Sequence, residues 1–528
     1  MGTFKPMALL LAGLSLISGC AAYTPPPTDT DNQGSVTLET LRQSGPEAPF
    51  SETLQRLDIG PDRGFESFWE VAGRHGEPLE VAFSRELEQF TGDRHYPCRR
   101  PLLYRYFVSR FGQPSREAAC QNDVPFLVTS GMEGSALTWV NPERVKAIHV
   151  LFAGQGDGIV SRFGHLSFRL IICPEERHDA SCDENLYEHL VLGYRAHVDD
   201  LRIDYWSGLF GEYRAHLFAN PFMEVYREYA IGEFRELYSL PLTLSRRQTR
   251  QMVRELSEIH WSYAGDYRFL TNNCSSIAQK YLLHSAGPMV QDRALHDIRW
   301  RPDYFFQRLR DSRYTVSDTL SDLEEAEREG YYFPSTRPVY ENAFELVRAA
   351  RNGKGASSLE AYLVMPVPRR LNALRENEDY LGKLLEQPRL MEAQRLLEEL
   401  ALIRTEKTLL ASLSGYFSDN PPETLGQKLR PLTTAEEFRT FDQCVLQPVM
   451  AEFRPRQRLS GIPGPGQSPT HASGERCGGA QMQARLKGAI RALNDIDPER
   501  WSGVDDALTH WAGSLEAVSI LSELAGEY

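Results

Sequence analysis

The chain has 528 residues, with 58 Lys and Arg against 72 Asp and Glu, a formal net charge of −14, and 10% aromatic residues. That length allows several domains and a large buried core. The acidic balance argues against a nucleic-acid partner, whose phosphates call for a basic face, and beyond residue 20 no run of about 18 apolar residues marks a spanning helix.

Residues 1–19 carry one basic residue, Lys5, then an apolar run from Met7 to Ile17, then Ser18-Gly19 ahead of Cys20. A basic start, a short apolar core and small residues before a cut site predict a secretory signal. The run is shorter than the roughly 20 residues a spanning helix needs. Its ending resembles the lipobox of bacterial lipoproteins, which implies cleavage before Cys20, a lipid on that cysteine and the membrane as a partner. Losing Lys5 with the signal moves the mature charge from −14 to −15. Residues 20–35, rich in Pro and polar side chains, read as a flexible tether. Ala21 stands where such proteins often carry an inner-membrane Asp, which favours the outer membrane, facing the periplasm.

Residues 36–144 begin with helical stretches (Leu38–Arg42, Glu66–Ala72) and continue through a Pro-punctuated, aromatic segment that holds Cys98 and Cys120. In residues 145–290 the pattern changes to β-branched, apolar runs: Lys146–Ala153, Gly164–Ile172 and Tyr187–Tyr194, the first two joined by a glycine-rich loop at Gly154–Gly158. Helices are predicted at Ser245–Ile259 and Ser275–Ser285, the second stopped by Gly287-Pro288. This block alone shows clear strands, so a small antiparallel sheet is expected. Residues 291–458 read as helical: one long helix starts at Pro388 with Ala393, Leu396, Leu397, Leu400 and Ile403 on a stripe, and Thr434 with Glu437 forms a capping-box pattern. Residues 459–480 are a Gly/Pro/Ser loop, and 481–528 close the chain with helices. The class is α+β, with mostly helical flanks.

Eight cysteines include Cys20, so seven remain. Sequence neighbours suggest Cys98–Cys120, Cys173–Cys182 and Cys444–Cys477, although other pairings are open. That arithmetic leaves Cys274 as a free thiol. It lies in Thr271-Asn-Asn-Cys-Ser-Ser, immediately before the helix at 275–285. Backbone N–H groups at a helix start favour negative charge, so the thiol is expected to tend toward thiolate, the nucleophilic form. A base is needed. In the strand 164–172, Leu166, Phe168, Leu170 and Ile172 alternate with His165, Ser167 and Arg169. His165 fits the base on that second face, with Ser167 beside it. Taken alone, His165 reads better as a satisfied, partly buried histidine, and Cys274 reads equally well as an inert buried cysteine. The Gly154–Gly158 loop lacks the Lys-Ser/Thr of a phosphate loop, and no His-Glu-x-x-His or Cys-x-x-Cys occurs, so no metal or cofactor is expected.

Five motifs follow one another: Cys98-Arg-Arg-Pro101, Ser161-Arg-Phe-Gly-His165, Gly208-Leu-Phe-Gly-Glu-Tyr213, Glu233-Phe-Arg235 and Asn273-Cys-Ser275. In this order and at these distances they resemble the bacterial family that shares the N-terminal periplasmic domain of Lnb, a lipoprotein intramolecular transacylase. That family is distantly similar to the permuted papain-like fold of NlpC-type peptidases and lecithin:retinol acyltransferase, in which the histidine strand precedes the cysteine helix. The resemblance implies a permuted papain-like domain with Cys274 as nucleophile and His165 as base. It also implies a lipid, lipoprotein or peptide substrate. The family's Asn-Tyr-Ala-Ala is here Gly193-Tyr-Arg-Ala196, so the group orienting His165 is left open among His189, Glu233 and Asn273, with Arg235 as a further supporting residue. Lnb continues into membrane-spanning helices, whereas this chain continues into a helical module. The expected function is cysteine-dependent acyl transfer or hydrolysis in the cell envelope. The alternatives are a cell-wall peptidase and a non-catalytic binding lipoprotein.

Overall fold

The computed structural model of the chain describes residues 79–111, 113–114, 123–130, 134–156, 161–174, 182–197, 213–262, 265–267, 273–285, 301–419, 422–443, 492, 495 and 498–526. The signal, Cys20, the tether, Leu38–Arg42, Glu66–Ala72, Cys120, Cys444, Cys477 and the loop 459–480 lie outside them.

One nine-stranded sheet organises the first half. Its strands are β1 (Val124–Ser130), β2 (Gly134–Val140), β3 (Val145–Ala153), β4 (His165–Ile172), β5 (Leu190–His197), β6 (Tyr213–Pro221), β7 (Leu237–Pro241), β8 (Gly265–Tyr267) and β9 (Tyr332–Phe333). The order is β2-β1-β6-β5-β4-β3-β7-β9, with β8 paired to β6. The β1–β6 pair is parallel and the others are antiparallel. The sheet is therefore mixed and much larger than the small antiparallel one expected. Its strands also reach beyond 145–290 at both ends. β1 was hidden by Pro125. Its carbonyl accepts from Ser257 Oγ at 2.9 Å and Trp261 Nε1 at 2.7 Å, contacts no local pattern encodes.

Both faces of the central strands are covered, which is why β3 and β4 read as almost unbroken apolar runs. On one face Ile148, Val150, Phe152, Leu166, Phe168 and Leu170 meet three helices: α4 (Arg246–Ser262), α5 (Cys274–Ser285) and α6 (Pro302–Arg310). Earlier in the chain come α1 (Leu79–Gly92), α2 (Pro101–Phe111) and the short α3 (Phe222–Tyr226). The opposite face packs Leu151, Ala153, Val191 and Leu237 against Phe222 and Val225 of α3 and against Tyr229 and Ala230 of the π-helical turn Arg227–Gly232. Each fully buried Leu or Phe contributes about 1.5–3 kcal/mol, so the double covering dominates the sheet's stability.

The second half is helical apart from β9. Its core joins α7 (Arg337–Ala350), α8 (Pro388–Asp419) and α9 (Pro498–Ala525) through Tyr340, Phe344, Val347, Leu397, Leu400 and Leu521. Helix α8 begins at the predicted Pro388, and Thr434 and Glu437 form the predicted capping box. A buried ion pair, Arg370–Glu398 at 2.6 Å, fixes this core, helped by the Tyr362 hydroxyl. Phe234 enters the same core from the sheet, with its ring 5.7 Å from Tyr340 and a left-handed φ of 56°. Helix α8 thus lies against the π-turn. Among the described residues no helix is long and apolar enough to cross a membrane.

Cys173 and Cys182 form a disulfide, and Cys98 is also disulfide-bonded. Cys274 is free and buried.

Candidate functional site

His165 opens β4 directly after Gly164, whose φ is +83°. A side chain at Gly164 would meet Phe152 Cε2 at 2.3 Å and the Ala153 carbonyl at 2.6 Å, so only glycine turns the chain here. The turn sets His165 opposite Ala153 of β3, and Ser167 opposite Gly193 of β5. The imidazole leans over Gly193: a Cβ there would stand 3.4 Å from Nε2. Tyr229 of the π-turn closes the other side, with its ring 6.1 Å from the imidazole.

Cys274 is the first residue of α5, and Asn273 caps the helix. Asn273 Oδ1 accepts from Ser275 N at 3.0 Å and Ser276 N at 3.2 Å, while Asn273 N donates to Ser276 Oγ at 2.9 Å. The cap explains why the chain turns helical there, and it commits the Asn273 carboxamide oxygen to the backbone rather than to His165. The Cys274 sulfur lies on the Leu166 side of the sheet and accepts from the backbone N–H groups of Leu166 and Ser275. It therefore touches the residue next to His165. The imidazole projects from the opposite face, and among the described residues no hydrogen bond joins it to the sulfur.

Arg235 braces this end of the sheet. Its Nε donates to the Gly154 carbonyl at 2.7 Å, Nη2 to the Ala153 carbonyl at 2.9 Å, and Nη1 to Glu233 at 2.9 Å. Its guanidinium also lies 4.6 Å from the centre of the Tyr229 ring. Glu233 pairs in addition with Lys407 of α8. Glu228 of the π-turn binds Arg195 at 3.1 Å. Arg195, Glu228 and Lys407 line a cavity of about 230 Å³ between β5, β6, the π-turn and α8, together with Arg227, Arg404 and Glu406 among others. π-turns inside helices are often found at functional sites.

The electrostatics correct one expectation. The helix start does supply an N–H to the sulfur, but burial outweighs it and pushes the Cys274 thiol up from its ordinary value. Burial, with Arg195 and then Arg235 nearby, pushes His165 down to about 3, against a smaller opposing pull from Glu233. At neutral pH the resting pair is a thiol and a neutral imidazole, not an ion pair.

His189 does not join these residues. Its Nδ1 faces Arg169 at 2.9 Å and its Nε2 faces the Cys182 carbonyl at 2.7 Å. Arg169 continues through Ser239 Oγ to His149 in a buried polar row across β4, β7 and β3. Ser167 is buried beside Gly193, on the imidazole's side of the sheet. Tyr229, Arg195 and Tyr267 reach the site without a local sequence signal. Long-range pairing and the π-turn place them, and only Gly193-Tyr-Arg-Ala196, the departure from the family pattern, pointed toward this patch. Among the described residues no three His, Cys, Asp or Glu side chains cluster as metal ligands do.

Residues 136–303 match the family model described as the Lnb N-terminal periplasmic domain. This stretch, about a third of the chain, is similar to that domain. The match spans β2 to the start of α6, so it takes in His165, Gly193, Arg235, Tyr267 and Cys274, and it leaves β1, β9 and most of the helical half outside. An Lnb periplasmic domain points to the cell envelope and to a role related to lipoprotein processing. No curated protein and no solved structure matches the chain.

Proposed function

We propose that this protein is a cell-envelope lipoprotein whose Lnb domain, a permuted papain-like unit, transfers or hydrolyses a lipid or lipoprotein acyl group through Cys274 and His165. The reading rests on one observation: the free Cys274 sulfur at a helix start accepts the amide of Leu166, the residue after His165. The two side chains leave β4 on opposite faces, so this reaction requires a rearrangement at the start of β4 that carries the imidazole to the thiol. The imidazole takes the S–H proton, sulfur bonds to the carbonyl carbon, and the leaving alcohol or amine departs with that proton. The thioester then passes its acyl group to an amine or to water. Helix-start N–H groups would stabilise the oxyanion, worth about 3 kcal/mol in comparable sites. The proposal includes lipid attachment at Cys20, a tether over 20–35 and an outer-membrane position facing the periplasm. Its units are 36–144, the domain 145–290, and helices over 291–458 and 481–528.

A second reading, a non-catalytic binding lipoprotein, is favoured by the neutral thiol and by the missing sulfur–imidazole bond. Intact-mass measurement separates the two. The full chain in mixed micelles with diacyl lipoprotein or phospholipid should gain a hydroxylamine-labile acyl adduct, lost in Cys274→Ala and slowed in His165→Ala. No adduct under any acyl donor would leave the binding module, and release of peptides from purified peptidoglycan would make the domain a peptidase.

A further inference from the structure

The cavity between the π-turn and α8 has a volume of about 230 Å³. Drug-sized ligands fill clefts of about 300–1,000 Å³, so this one suits a smaller, polar group. The chain carries a net −14, yet among the described residues four cations of the cavity wall face three carboxylates. Two of the cations are tied within the wall: Arg195 donates to Glu228 at 3.1 Å, and Arg227 Nη2 to Glu406 at 2.9 Å. The third wall carboxylate, Glu224, stands 3.7 Å from Arg227 Nη1, beyond hydrogen-bond reach. The other two cations pair chiefly outside the wall. Arg404 Nη1 donates to Glu360 at 2.7 Å, and Lys407 donates to Glu233 while standing 3.7 Å from Glu228. Arg404 Nε takes the Gly232 carbonyl at 3.2 Å, so among the described residues its Nη2 meets no acceptor. Arg404 and Arg227 are 30% and 33% exposed, so solvent reaches both forks. The Arg404 guanidinium rests 5.1 Å from the centre of the Phe234 ring. Phe234 holds that ring there from a left-handed backbone, φ 56°, which a phenylalanine adopts only under constraint.

We propose that this cavity is a binding site for a phosphate diester, held by Arg404 and Arg227 with Lys407 alongside. A guanidinium offers five N–H donors in a rigid fork and accepts nothing. Water meets the spare donors at rest, whereas a phosphate oxygen meets them with charge as well. Four cations against three carboxylates leave one positive charge in the wall, the complement of a diester's single negative charge. The pairs that the ligand displaces, to Glu360 and Glu233, involve exposed groups and hold weakly. A phospholipid headgroup and a soluble glycerophosphodiester share this chemistry. Helix α8 supplies Arg404, Glu406 and Lys407 and lies outside the matched residues 136–303, so the helical half completes a site that the matched stretch alone lacks. Cys274 takes no part, and the site goes beyond the acyl-transfer reading.

The test is calorimetric titration of the full chain with glycerophosphoglycerol, at low salt in octyl glucoside, a detergent without phosphate. Saturable heat is expected, and glycerol alone should give none. Arg404→Gln and Arg227→Gln should each weaken binding about 10- to 100-fold, the scale of one hydrogen bond to a charged group. Glu360→Gln removes a competitor for Arg404 at an exposed position and should tighten binding about 2- to 5-fold. That opposite sign keeps the test valid should either arginine variant fail to fold. Phosphatidylcholine added to the micelles separates the sources: it competes with the probe if the site takes a lipid headgroup and leaves the heat unchanged if it takes a soluble diester. No saturable heat, heat that glycerol reproduces, or wild-type affinity in all three variants overturns the site. The titration needs no acyl donor, so its failure leaves the acyl-transfer reading untouched, and an absent acyl adduct leaves this site untouched.

Discussion

Replacing Arg235 tests whether the site end of the sheet is held from one side chain. In Arg235→Met the apolar stem stays and the guanidinium goes, leaving the Ala153 and Gly154 carbonyls and Glu233 without their donor. Arg235 is 3% exposed, so the two carbonyl bonds are charge-assisted and buried, worth about 1.5–3 kcal/mol each. The bond to the more exposed Glu233 adds at most about 1 kcal/mol. Some of this returns as relief from burying a cation, so a net loss of about 3–5 kcal/mol is expected. For a unit of this size that lowers the melting temperature by roughly 6–20 °C. Arg235→Lys keeps the charge but not the planar fork and should lose about half as much. The pair also separates charge from bracing. Arg235 is one of the cations holding His165 near 3, so Met should raise the His165 titration midpoint, seen by NMR of labelled imidazole, while Lys leaves it nearly in place. Melting within about 2 °C of wild type for both, or an unmoved midpoint in Met, would refute the reasoning.

Three further outcomes follow from the same contacts. His165 and His189 are held near 3, and His149 well below its ordinary value, all chiefly by burial; unfolded, each titrates near 6.5. Their stabilisation is complete above about pH 6.5 and is lost as pH falls toward 3. Melting temperature should drop steadily over that range and less steeply in His165→Gln; an unchanged slope in that variant removes His165 from the account. Glu258 has the opposite sign. Burial raises it to about 8 while Arg100 opposes, so its contribution fades as pH rises from about 4.3 to 8. Glu258→Gln keeps an acceptor for the Leu102 amide at 2.5 Å and should melt higher than wild type at pH 8.5 but not at pH 5, whereas equal gains at both would contradict the charge argument. Gly164→Ala forces a side chain onto Phe152 at positive φ and should cost about 2–4 kcal/mol in urea unfolding; a loss under 1 kcal/mol would mean that the turn adapts freely.

Much of this was legible in the sequence where local rules suffice. The periodicity of β3 and β4, the start of α8 at Pro388, the Thr434 capping box and the disulfide between Cys173 and Cys182 all act within a few residues of themselves. The sheet's size was not, because β1, β6, β8 and β9 are strands only through distant partners: Val128 meets Ala219, and Leu237 meets Phe333. Ser167 and Arg169 read as a second face beside His165, set apart from the apolar one, but they are buried, since α3 and the π-turn cover that face. Cys274 stood out by cysteine arithmetic and by its place before a helix. His189 drew notice as a histidine near the domain's third strand, yet its register places it at the Arg169 end of the sheet.

The state of the sulfur is a contest between two effects of known size. A helix start favours a nearby anion by about 0.3–1 kcal/mol, rising to about 2 in partly buried geometry. Taking a charge out of water costs several kcal/mol unless hydrogen bonds replace the solvent. At Cys274 the amides of Leu166 and Ser275 replace part of it, and burial still prevails. The helix therefore lowers the barrier to ionisation without producing a thiolate at rest, and the thiol should alkylate more slowly at pH 7 than a free cysteine. His165 is biased the same way, toward its neutral form. Two neutral partners exchange a proton only when something stabilises both charges at once. A bound acyl group whose carbonyl oxygen takes up the developing negative charge is such a partner, and the nearby carboxylate of Glu233 can steady the imidazolium. If alkylation at pH 7 proves faster than that of a free cysteine, the thiolate already exists at rest and this substrate-dependent activation fails.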